Sequence, residues 1–85
     1  MALTKSQLIE NIKKERKNWD PETDLEAPIM TVLDKEDLWD EARKTIPKEW
    51  LKEHKEKIKE RVYDWEDYDR IAVLMWLYEQ FGKNY

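Results

Sequence analysis

Ile71-Ala72-Val73-Leu74-Met75-Trp76-Leu77-Tyr78 is the longest apolar run in the chain, and its reading decides the fold. Eight residues fall far short of the ~20 that cross a bilayer. Upstream lie Asp64, Glu66, Asp67 and Asp69, acids that suit the positive end of a helix; downstream lies Gly82, a residue that closes helices well. The spacing predicts a helix that starts after Asp64, runs to Phe81 and is apolar all round through its middle. Such a helix is either the centre of a bundle or half of an oligomer interface. Trp65 and Trp76, about three turns apart on it, share one face.

Working upstream, Leu51, His54, Ile58, Val62 and Trp65 recur every three or four residues, a narrow stripe on a helix expected from Pro47 to about Val62. The pairs Lys48/Lys52, Lys55/Lys59, Glu49/Glu53 and Glu56/Glu60 set like charges at i,i+4, so local ion pairing helps this helix little. Val32, Leu33, Leu38, Trp39 and Ala42 supply the apolar side of a helix expected to start after Thr31 or Asp34 and end near Thr45. Asp34, Glu36 and Asp37 suit its N-terminal end, and Arg43 and Lys44 its last turn. Residues 19–30 (WDPETDLEAPIM) are the main irregular stretch. Asp20 and Pro21 read as N-cap and first helical residue, and Pro28 limits the helix they open to about two turns. A short helix or structured loop is expected there, with Leu25, Ile29 and Met30 tucked onto the core. The first helix is expected from Lys5 to about Asn18, opened by a Thr4–Gln7 capping box and carrying Leu8, Ile9 and Ile12 on one face, with Trp19 continuing that face.

No run of alternating β-branched residues appears, and a single glycine cannot serve a set of tight β turns. The expected fold is all-α: one domain over residues 1–85, three long helices plus one short helix, the fourth helix central, and a looser segment at about 18–31. Eighty-five residues sit near the lower limit for a self-sufficient core, and the absence of cysteine leaves folding to packing or association. The first residues are polar and no apolar leader comes after them, so the expected location is cytoplasmic.

The formal net charge of −4 hides blocks of alternating sign. Residues 18–41 carry nine acids and one base, and residues 42–62 carry eight bases and four acids. Enzyme readings fail on inventory. Ser6 and His54 are the only serine and histidine, far apart in sequence, and one glycine near the end of the chain builds neither an oxyanion pocket nor a phosphate loop. The acids at 34–37 and 64–67 lack the alternating oxygens and central glycine of a calcium loop, and no Glu-x-x-His pair suits a di-iron bundle. No catalytic residue, metal ligand or cofactor is therefore assigned. Interleaved glutamates and a pI near 5.1 argue against a nucleic-acid groove.

Five tryptophans, four tyrosines and three methionines exceed what so small a bundle usually encloses. The expected function is non-enzymatic protein binding by a small acidic regulator or inhibitor whose partner has a basic surface. Trp39 and Trp50 are the expected apolar anchors, with Asp34, Glu36, Asp37, Asp40 and Glu41 as the charged rim. Two alternatives remain open: a self-assembling subunit that uses residues 71–81 as a homo-oligomer interface, and an acidic mimic that occupies the basic channel of a nucleic-acid enzyme.

Overall fold

Short-range capping decides where the first helix begins. The Thr4 hydroxyl accepts from the Gln7 amide at 3.1 Å while the Gln7 side chain accepts from the Thr4 amide at 3.0 Å, which opens α1 (Lys5–Arg16) as the capping box predicts. The computed structural model describes residues 3–62 and 67–85. Among the described residues it is all-helical, with α2 at Glu26–Lys35, α3 at Trp39–Lys44, α4 at Lys48–Arg61 and α5 at Tyr68–Gln80. Trp65, the expected helix start after Asp64, and the face shared by Trp65 and Trp76 lie outside the described residues.

Among the described residues five helices stand where three long and one short are expected, because two punctuation signals act differently from their sequence reading. Pro28 does not end a short helix. It is the third residue of α2, in the first turn, where its missing N–H has no intrahelical partner to lose. Asp20 shapes only a turn, accepting from the Glu22 amide at 3.2 Å. The second half of the expected irregular segment is thus helical, and Leu25 and Ile29 are buried as expected.

The expected continuous helix to Thr45 is broken. Leu33 and Leu38, five residues apart, would point about 140° apart on an unbroken helix. A turn at residues 36–38 brings the Ile29–Leu33 stripe of α2 and the Ala42 side of α3 onto the same core. Asp37 adopts φ +53° there, and the Leu38 amide donates to the Leu33 carbonyl at 2.8 Å, the bond that closes a helix behind a left-handed residue. Glycine is the usual occupant of that position. Asp37→Gly should therefore raise the unfolding free energy by about 0.5 kcal/mol. Chemical denaturation checks this, and a clear loss would show that the Asp37 side chain stabilises the turn.

Pro47 is the N-cap of α4, one residue before the helix proper. Asp67 caps α5, its carboxylate accepting from the Asp69 amide at 3.0 Å, and Gly82 closes that helix at φ +69° as expected. α5 packs against α2, α3 and α4, and α1 packs against α2. Of the run Ile71–Tyr78 only Met75 is not buried, so within this chain the run has little apolar face left over.

A long-range bond ties the 17–25 loop to this core. The buried Tyr78 hydroxyl donates to Asp24 Oδ1 at 2.5 Å. That bond, with support from the Glu26 amide, holds the Asp24 carboxyl below the usual carboxylate range. Burial, then the bond and the charge of Asp24, push the Tyr78 hydroxyl well up. A depressed carboxylate contributes stability above its unfolded pKa, near 4, and loses it as the pH falls through the folded value. A raised phenol contributes below its unfolded pKa, near 10, and loses it above. Asp24 is exposed, so solvent screening keeps the effect small. Tyr78→Phe should cost about 1 kcal/mol at pH 7, with the difference from wild type shrinking below about pH 4 and above about pH 10. Urea unfolding across pH measures it; a difference unchanged at pH 3 would show that Asp24 contributes nothing.

Candidate functional site: the acidic corner at Trp39

The turn between α2 and α3 gathers most of the expected rim. Asp34 stands in the last turn of α2, Glu36 is its C-cap residue, Asp37 is the left-handed residue, and Asp40 and Glu41 occupy the first turn of α3. Asp34, Glu36, Asp37 and Asp40 are exposed, and Glu41 is half-buried and lies 3.6 Å from Lys44.

Trp39 sits at the middle of this corner, half-buried. Its indole N–H donates to Asp34 Oδ1 at 2.6 Å, which fixes the ring across the turn. The Arg70 guanidinium, from the first turn of α5, lies 4.6 Å from the ring centroid and 3.6 Å from the same Asp34 oxygen. Next to it, Arg43 Nε donates to Asp69 Oδ1 at 2.9 Å and links α3 to α5. Trp39 and Arg70 also line a cleft of about 410 Å³ together with Met30, Ile71 and Leu74.

Trp50 is placed differently from its expected role. It is only 9% exposed, and its indole N–H donates to Glu79. Its ring stacks on His54 with centroids 4.1 Å apart and meets Trp76 edge-on at 5.3 Å. An apolar anchor needs a free ring, and α5 covers Trp50 with Trp76 and Glu79. His54 Nδ1 lies 2.8 Å from the Trp50 carbonyl. A carbonyl only accepts, so Nδ1 carries the proton and donates.

Trp19 reverses its expectation in the other direction. It is 38% exposed, with its indole N–H donating to Glu15 at 2.9 Å, and does not continue the buried face of Leu8 and Ile12. Arg70 is the residue that sequence reasoning misses. Its contacts are with residues on other helices, and no local spacing signals them.

Among the described residues no group of three or more His, Asp or Glu side chains is placed to hold a metal ion, and no helix is long and apolar enough to cross a membrane. No known protein family, curated protein or solved structure matches this chain.

Proposed function

We propose that the chain is a non-enzymatic protein-binding module, a small acidic regulator or inhibitor, whose contact surface is Trp39 and the carboxylates of the α2–α3 corner. The observation that carries this reading is where the acids stand on α2. At a helix N-terminus Asp34, Glu36 and Asp37 would serve the fold. Asp34 and Glu36 stand instead at the C-terminal end of α2, where the macrodipole disfavours negative charge, and Asp37 stands between that end and the start of α3. Asp37 also holds a backbone conformation that glycine adopts more easily. Asp34 serves the fold by holding the Trp39 ring, and the exposed Glu36, Asp37 and Asp40 beside it are charge available to a partner. A partly buried indole held by Asp34 and flanked in sequence by exposed carboxylates has the anatomy of an interface anchor, and a basic partner surface is its complement.

Parallel affinity capture from the native host tests the reading. The baits are wild type, Trp39→Ala, and the triple variant Asp34→Asn, Glu36→Gln, Asp37→Asn, each checked for helicity first. The partner is expected to be retained by wild type and lost by both variants, with retention falling between about 50 and 500 mM salt. Truncation of the central anchor should weaken binding by at least about 2 kcal/mol. Equal retention by all three baits would remove the corner from the interface.

A further inference from the structure

Arg70 makes an unusual contact within its own chain. A single guanidinium from α5 lies over the Trp39 ring of α3, 4.6 Å from its centroid, and 3.6 Å from Asp34 Oδ1 of α2. The carboxylate and the ring are already fixed to each other by the 2.6 Å indole bond, so they form a pair that does not depend on Arg70 for its geometry. The Arg70 and Asp34 side chains are each 51% exposed, a setting in which ion pairs are weak and readily exchanged. Arg70 also stands in the wall of the cleft lined by Met30, Ile71 and Leu74, so its departure would widen that opening.

We propose that Trp39 and Asp34 form a receptor for an arginine side chain of a partner protein, and that Arg70 occupies this receptor in the free chain and yields it on binding. The inference rests on the reading of the corner as a protein-binding surface and names what that surface recognises. Arginine fits better than lysine, because a planar, weakly hydrated guanidinium stacks on an indole while pairing with a carboxylate. Glu36, Asp37 and Asp40 are exposed around the receptor and would meet further cations on the same segment. The occupant is thus an arginine-rich segment of another protein. Competition by Arg70 lowers the apparent affinity for it, as for any ligand whose site is partly occupied in cis.

Octa-arginine and octa-lysine are the probes, titrated at low salt into the full chain and monitored by the backbone amide and indole N–H resonances in NMR. Octa-arginine is expected to shift the Trp39 resonance saturably and to bind more tightly than octa-lysine. Arg70→Ala should tighten octa-arginine binding by about three- to tenfold. Lys83→Gln removes one positive charge elsewhere on the surface and should change affinity much less. Asp34→Asn in the Arg70→Ala background should abolish the gain. Equal tightening by Arg70→Ala and Lys83→Gln would reduce the effect to net charge and overturn the inference. Equal affinity for the two peptides would overturn it as well. A response at Asp37 and Asp40 that leaves Trp39 unmoved would also overturn it, while leaving the acidic corner as a binding surface. Absence of any response at the corner would bring down both readings.

Discussion

Trp50→Ala is expected to lower the unfolding free energy by about 3–5 kcal/mol, a large part of the ~5–15 kcal/mol that holds a domain together. The ring is 9% exposed and is enclosed by His54 on one face and Trp76 at its edge, so its removal leaves a cavity that neighbouring helices cannot easily close. Trp50→Phe keeps most of the apolar area and gives up the indole bond to Glu79, an exposed residue that water can satisfy. That variant should lose about 1 kcal/mol from the hydrogen bond, plus a smaller packing loss. Trp39→Ala, at a partly buried position, should cost less than Trp50→Ala, about 2–3 kcal/mol. Urea unfolding monitored by circular dichroism separates the three. The contrast has a functional use: a binding defect in Trp39→Ala then reports on the surface, whereas one in Trp50→Ala reports on folding. A loss below about 1 kcal/mol for Trp50→Ala would mean that the ring is not enclosed and would return it to the set of candidate anchors.

Sequence legibility tracks the range of the interactions involved. The Thr4–Gln7 box and the Gly82 stop are made by residues three or four apart, and both are read correctly. The Ile71–Tyr78 run is legible because its apolar residues cover the whole circumference of a helix, so burial does not depend on knowing which face is inward. The α2–α3 break is not, because the residue in the left-handed position is aspartate rather than glycine. Its neighbours Asp34 and Glu36 imitate the acids of a helix start, and the tertiary need to turn both stripes toward one core overrides them. The tryptophans show the same limit. Trp50 borders the Leu51–His54–Ile58 stripe, stacked on His54, and its burial is completed by α5, which packs Trp76 against its edge. For the corner, exposure of Asp34, Glu36, Asp37 and Asp40 is what a charged sequence predicts; the guanidinium over Trp39 is not. That contact joins α3 to α5, and nothing between them in sequence announces it.

Leu33→Ala carries the other large effect, because this residue serves both the core and the corner. Its side chain is fully buried, and its carbonyl accepts the Leu38 amide that closes α2. The expected loss is about 3 kcal/mol, from removed apolar area and the cavity left behind, while Leu33→Met, which conserves volume, should lose less than about 1.5 kcal/mol. The carbonyl bond survives either substitution, so the alanine variant loosens the packing beneath the turn without removing the hydrogen bond that closes it. Stability and recognition can thus be divided at the same place. Where Leu33→Ala is still folded, Trp39, Asp34 and the exposed acids keep their positions, so intrinsic affinity for a cationic partner should match wild type once the folded fraction is corrected for. Asp37→Gly should do the reverse, raising stability while removing one carboxylate from the rim. A chain in which both substitutions moved stability and affinity together would mean that the corner's charges act only through the fold.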